Sequence, residues 1–277
     1  GGDGAVGIQA RALGIYENAF VVAIGGKGAT SGIDINSPYL DSGLLIQGSL
    51  QPGGTILQTS SGLSDSFTLG VDAEIPAWAT VTIAADQTFT IENGKTLTNN
   101  GTIENNGTLT TNGTFTNNGT FTNNGTFKGK LGVNQSLNIG GSDGFDVTCT
   151  YGEVTFNYEK EKEQLTIDET GSDEVLIKGR NKDHAVECGI VIAQKARITL
   201  TIEDLNIEAG EALVYEGGRI DYSLVLQGTN RLTSTGGPGI NLDGNSVSFR
   251  GSGSLTVTGG DDAAGIQASS LYINENT

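Results

Sequence analysis

Residues 96–131 read TLTNNGTIENNGTLTTNGTFTNNGTFTNNGTFKGKL, and their period decides the fold. One apolar residue recurs every six positions, at Leu97, Ile103, Leu109, Phe115, Phe121 and Phe127, each preceded by Thr. Asn-Gly closes five units, at Asn100-Gly101, Asn106-Gly107, Asn112-Gly113, Asn118-Gly119 and Asn124-Gly125. Asn-Gly favours positive φ and is the strongest short hairpin signal, so a β-meander is the first candidate. Its register fails. With Asn124-Gly125 as the turn, Thr122 would face Phe127 and Phe121 would face Lys128, and successive apolar residues would fall on opposite faces. A β-solenoid has no such conflict. Each hexad is a short strand plus a corner, the apolar residue points at the axis every time, and β-branched Thr suits the strand. Three hexads to a coil would stack Phe on Phe and Asn on Asn, about 4.8 Å apart.

Working outward, the chain of 277 residues carries 43 Gly, no Met and 4 Pro. Charged residues make up 17%, below the usual quarter or so, and no run of about 18 apolar residues could cross a membrane as a helix. A formal charge of −17 argues against nucleic acid, which needs a basic footprint, and is compatible with calcium or basic partners. No signal peptide is visible, and the first residue is Gly1 rather than Met, so the natural N-terminus is expected to lie upstream. Cys149 and Cys188 both sit in strand-like runs and read as buried free thiols rather than a bridge.

The first and last stretches are copies. GGDGAVGIQARALGIYENA (1–19) and GGDDAAGIQASSLYINENT (259–277) agree at 12 of 19 positions at an offset of 258. This reads as a period of a longer tandem array. Residues 1–70 are read as β-helix coils, with Gly7-Ile8 and Gly32-Ile33 marking equivalent points one coil apart and residues 49–65 as a linker. Residues 71–142 are the hexapeptide-repeat solenoid and its lead-in, with Trp78 beside Pro76 capping or packing the core. Residues 143–185 read as an antiparallel hairpin cap: Val147, Cys149 and Tyr151 alternate, as do Val154, Phe156 and Tyr158, around a charged turn at residues 159–163. Residues 186–277 return to β-helix, with Gly189-Ile190, Ala212-Leu213, Gly239-Ile240 and Gly265-Ile266 at equivalent points. The fold class is all-β, a parallel β-helix or β-solenoid expected to be right-handed.

The succession GTNRLTSTGGPGI, GSGSLTVTGG and DDAAGIQASSLYI resembles the Gly-rich parallel β-helix repeats of large bacterial surface proteins, adhesin-like and including a carbohydrate-binding β-helix family. The resemblance covers roughly residues 186–277 and 1–35. It implies an extracellular or cell-surface module whose partners are extracellular polysaccharide or host glycan and protein surfaces, with neighbouring repeat units of the same chain. Characterised relatives bind plant polysaccharides such as pectin and cellulose with calcium.

Parallel β-helices also house polysaccharide lyases and hydrolases, so an enzyme is the alternative. No catalytic residue emerges. The single His184 lies in NKDHAV rather than between glycines, and no Arg-Pro or Arg-Lys signature accompanies Asp183-His184. Asp261 and Asp262, with Asp3 in the first copy, are the candidate calcium ligands, without a regular calcium-loop spacing. Zinc is not expected from one His and two scattered Cys. The five Asn-Gly-Thr sequences are formal glycosylation sequons, but stacking explains them without modification. Tyr16, Tyr39, Tyr215, Tyr222 and Tyr272 fall near turns or strand ends as candidate sugar platforms, none shared between the two copies; Trp78 could serve likewise. The expectation is a non-enzymatic module for adhesion or polysaccharide binding, with a purely structural stalk as a third reading.

Overall fold

The structure, a computed structural model, describes residues 4–9, 13–15, 19–27, 29, 31–34, 38–40, 44–50, 56–63, 66–152, 154–168, 172–193, 197–216 and 221–274. It is all-β, built of parallel stacked coils, a β-solenoid. The chain divides into two compact units, residues 1–125 and 126–277.

In the first unit the hexads wind three to a coil. Leu97 lies in register with Phe115 and Ile103 with Phe121, each partner being the third hexad on. Three parallel ladders result: Ser66–Leu69, Thr88–Ile91 and Thr108–Thr111; Ala73–Ile75, Thr96–Asn99 and Thr114–Asn117; Thr80–Ile83, Thr102–Asn105 and Thr120–Asn123. Alternation puts the apolar residue of each strand inside, and Leu97, Ile103, Leu109, Phe115 and Phe121 are all buried. The expected Phe-on-Phe stack is corrected by the same arithmetic. Phe115 and Phe121 are one hexad apart in a coil of three, so they belong to adjacent sides of one coil. They meet edge-on across the core, centroids 5.4 Å apart, while each stacks on Leu97 or Ile103 below.

Asn does stack on Asn, and in two places. The second Asn of each pair forms an outer ladder, with Asn118 Nδ2 donating to Asn100 Oδ1 at 3.0 Å and Asn124 Nδ2 to Asn106 Oδ1 at 3.1 Å. The first Asn points inward. Asn99, Asn105 and Asn123 are buried, Asn99 Nδ2 donates to Asn117 Oδ1 at 2.7 Å and Asn105 Nδ2 to Asn123 Oδ1 at 2.6 Å. Amides inside an apolar core are tolerable only because the coils above and below supply their partners.

The corner glycines are not there for positive φ. None of Gly101, Gly107, Gly113, Gly119 and Gly125 adopts it, whereas Gly94 of the preceding Asn93-Gly94 turn does, at 75°. A Cβ on Gly113 would instead press into the carbonyl oxygens of Glu92 and Lys95, and one on Gly119 into that of Gly101. Close approach of the next coil selects glycine there.

The earlier part of this unit pairs Ile8–Gln9 with Ile33–Asp34, Leu13–Ile15 with Pro38–Leu40 and Phe20–Gly25 with Leu44–Leu50, all parallel. Gly7-Ile8 and Gly32-Ile33 are thus equivalent, as the spacing suggested. The segment read as a linker contains the strand Ile56–Leu63, which pairs antiparallel with Leu44–Leu50.

The second unit opens with antiparallel pairing that starts earlier than residue 143. Thr126–Leu131 pairs with Val154–Glu159, and Ser136–Ile139 with Phe145–Tyr151. Gln164–Asp168 and Ser172–Gly179 then each pair antiparallel on one side and parallel on the other, which converts the cap into coils. From there Ile190, Leu213, Ile240 and Ile266 lie in one register, as their spacing predicted. Val154, Phe156 and Tyr158 are buried, as are Val147 and Cys149, but Tyr151 is 64% exposed. A register shift between Cys149 and Tyr151 turns it out of the alternation. Cys149 and Cys188 are both buried; burial pushes the Cys188 thiol from 9.0 up to about 12.

Candidate functional site

Two surfaces have the geometry to meet a ligand. The first is the outer side of the ladder Ser66–Leu69, Thr88–Ile91 and Thr108–Thr111. Register puts Ser66, Thr88 and Thr108 in one column and Thr68, Thr90 and Thr110 in the next. Inward positions are filled by Phe67, Phe89 and Leu109, and Phe67 and Phe89 rings pack edge-on at 4.9 Å. The outward side is therefore a rigid, uncharged mesh of hydroxyls and methyls, with rungs about 4.8 Å apart. The neighbouring ladders carry Thr96, Thr98, Thr114 and Thr116, and Thr80, Thr82, Thr102 and Thr120, interrupted by Glu74 and Glu104.

The second surface is a cleft of about 430 Å³ in the second unit. Glu163, Glu187, Glu208 and Glu211 line it together with Lys162 and Thr235. Successive coils bring these acids together: the Gly189 amide donates to the Glu163 carbonyl at 2.8 Å, and a Cβ at Gly189 would press into the Glu211 carbonyl. Lys162 does not neutralise the cleft, because its ammonium pairs with Glu159 at 2.9 Å and holds that carboxyl below its ordinary value. The result is an acidic, hydrogen-bond-accepting face. Sequence reasoning missed these glutamates; the available signal was Glu just ahead of the coil markers at Gly189-Ile190 and Ala212-Leu213.

The residues singled out from sequence are scattered. Asp261 and Asp262 are exposed in the turn after Ser254–Thr258, with Asp262 at φ 59°; Asp3 and Tyr16 lie outside the described residues, as does the Tyr39 side chain. Among the described residues no three His, Cys, Asp or Glu side chains are grouped to hold a metal ion. His184 is exposed in a turn, its amide donating to the Asn181 carbonyl at 3.2 Å. Tyr215 and Tyr222 are core residues rather than platforms: both are buried, with ring centroids 4.0 Å apart, and burial raises both phenols. Trp78 is half-buried. Of the described aromatic candidates, only Tyr272 is exposed, at 56%.

Comparison with family models, with curated proteins and with solved structures finds no match to this chain.

Proposed function

We propose that the chain is a non-enzymatic, extracellular or surface-attached β-solenoid module that binds polysaccharide by repetition. The observation that carries this reading is the in-register mesh of Ser66, Thr68, Thr88, Thr90, Thr108 and Thr110. A polymer of hydroxyl-bearing units meets the same donors and acceptors at every rung, so individually weak contacts add through linkage. The surface is pre-formed, because each Thr is fixed by the strand beneath it and little ordering entropy is lost on contact. The acidic cleft adds carboxylates that accept hydrogen bonds from sugar hydroxyls, or that join an acidic polymer through a bridging cation.

The test is a polysaccharide and glycan binding screen on the whole chain, run with calcium and again with a chelator. The paired variant replaces Thr88, Thr90, Thr108 and Thr110 with Val, which keeps β-branching and removes the hydroxyls. Binding that the wild type shows and the four-Val variant loses by tenfold or more (about 1.4 kcal/mol), with unchanged circular dichroism, supports the mesh as the site. Equal binding by both moves the site to the cleft, where Glu187→Gln with Glu211→Gln becomes the deciding variant. No binding under any condition sinks the reading in favour of a structural stalk.

A further inference from the structure

We infer that Asn93 is a site of spontaneous covalent modification, deamidation through a cyclic imide with water as co-reactant. The fold shields the five Asn-Gly pairs of the hexads from the same reaction. In the first step the Gly94 amide nitrogen attacks the side-chain carbonyl carbon of Asn93, Cγ. An N–Cγ bond forms, the bond from Cγ to the side-chain nitrogen breaks, and ammonia leaves with the proton of the Gly94 amide. Water then adds to one of the two imide carbonyls and breaks its bond to nitrogen. Opening at Cγ leaves aspartate; opening at the backbone carbonyl leaves isoaspartate, whose main chain runs through Cβ and Cγ. Either product carries a new carboxyl, which ionises and passes its proton to the ammonia.

The reaction needs a side chain free to swing onto the next amide, an amide nitrogen not held as a donor, and room for a planar ring. Glycine after Asn helps by lacking Cβ, so all six Asn-Gly pairs, from Asn93-Gly94 to Asn124-Gly125, are equal candidates by sequence. The structure separates them. Asn93 and Gly94 are both exposed, the central pair of a turn closed by the Lys95 amide donating to the Glu92 carbonyl at 3.1 Å. Gly94 sits at φ 75°, and a Cβ on it would meet nothing within 4 Å. Among the described residues neither the Asn93 side chain nor the Gly94 amide has a hydrogen-bond partner.

The hexad pairs are held. The Gly101 amide donates to Asn99 Oδ1 at 3.1 Å, the Gly113 amide to the Ile91 carbonyl at 3.1 Å and the Gly119 amide to the Asn99 carbonyl at 3.0 Å. The outer ladder ties Asn118 to Asn100 and Asn124 to Asn106, and Asn100 Nδ2 also donates to Glu74 Oε1 at 2.8 Å. A Cβ on any of the five glycines would strike a backbone carbonyl oxygen of the coil below, so an imide ring has no room there. Ring closure then requires the corner to open first, and its rate falls with the population of the opened state. Asn112 is exposed, and its protection rests on Gly113. Asn112 and Gly113 both donate their amides to the Ile91 carbonyl, at 3.0 and 3.1 Å, so they sit directly over the Asn93-Gly94 corner. Modification lays a charge beneath them, and in isoaspartate an added main-chain atom: a slow mark of age at the lead-in to the hexads.

The experiment incubates the folded full chain in mildly alkaline buffer, beside a sample unfolded in guanidinium chloride, and maps tryptic peptides over time by mass spectrometry. Cleavage after Lys95 puts Asn93 in the peptide 28–95 and all five hexad pairs in 96–128. In the folded chain the amide-to-acid mass gain, localised to Asn93 by fragmentation and split into aspartate and isoaspartate products, should appear at least tenfold faster than at any hexad Asn. In the unfolded chain the six sites should react at similar rates. A folded-state ratio below tenfold overturns the proposal, as does an Asn93 that reacts tenfold more slowly folded than unfolded. The polysaccharide screen has no bearing on this outcome.

Discussion

The hexad coils of residues 96–125 and the longer coils of residues 186–274 solve the same problem with different corners. Both stack parallel strands over an apolar core. The hexad coil advances by three hexads, as from Leu97 to Phe115, and its corner is the Asn-Gly pair with no positive φ between Gly94 and Gly129. The longer coils take larger steps, from Ile190 to Leu213, then Ile240, then Ile266, and their corners use Asp204, Gly228, Asp243, Gly244, Gly251 and Asp262, all at positive φ. In the first region glycine is chosen by what lies beneath it. In the second, Gly244 is chosen, like Asp204, Asp243 and Asp262, for the backbone dihedral, while Gly179, Gly189 and Gly253 again answer to backbone atoms that a Cβ would strike. The same residue type therefore carries two separate physical meanings within one chain.

Alanine substitutions break this comparison most sharply. Gly113→Ala should cost about 3 kcal/mol, because its Cβ meets the backbone carbonyls of Glu92 and Lys95, which cannot give way. Gly244→Ala meets nothing within 4 Å and carries only its φ of +77°, so it should cost about 1–2 kcal/mol. Urea unfolding of the two variants decides it; equal losses would mean that dihedral preference rules both corners.

Asn99→Ala probes the buried amides of the hexad coils. It leaves the Gly101 amide, which donates to Asn99 Oδ1 at 3.1 Å, and the Asn117 amide oxygen without that partner. The expected loss is about 2 kcal/mol. The exposed outer ladder should matter less, with Asn118→Ala costing about 0.5 kcal/mol.

A further effect is alkaline and belongs to the second unit. Burial raises the Cys188 thiol to about 12 and, with Cys188 and Glu163 adding to it, the Tyr158 phenol to about 12. These groups hold their protons more tightly folded than unfolded. Their contribution is complete below the unfolded values near 9 and 10 and fades as pH climbs toward 12. Stability from urea unfolding should fall between pH 8 and 10 by about 1 kcal/mol, and Cys188→Ala should flatten that slope. A slope unchanged by Cys188→Ala would place the alkaline sensitivity elsewhere.

Much of the fold was legible because a solenoid is quasi-one-dimensional: each coil contacts its neighbours, and register follows from spacing. The hexad period gave three sides to a coil, and Gly7-Ile8, Gly32-Ile33 and the four later markers fell into register. Local exceptions were not legible. Nothing in VTCTY announces the register shift that exposes Tyr151, and the strand Ile56–Leu63 looked like punctuation because its partner, Leu44–Leu50, is set by tertiary pairing. The candidate surfaces were less legible still. Tyr215 and Tyr222 resembled platforms, yet they fill the core, since a strand end can turn either way.

By itself the sequence determined the class of fold, the coil length of the hexads, and which apolar residues face the axis, because side-chain alternation and turn spacing are properties of neighbouring residues. Only the tertiary structure decided that the corner glycines answer to carbonyls of the coil below, that Asn99, Asn105 and Asn123 are buried while the Asn that follows each lies on an outer ladder, and that Glu163, Glu187, Glu208 and Glu211 share a cleft. Those facts depend on contacts between residues a full coil apart along the chain, which exist only once the coils stack.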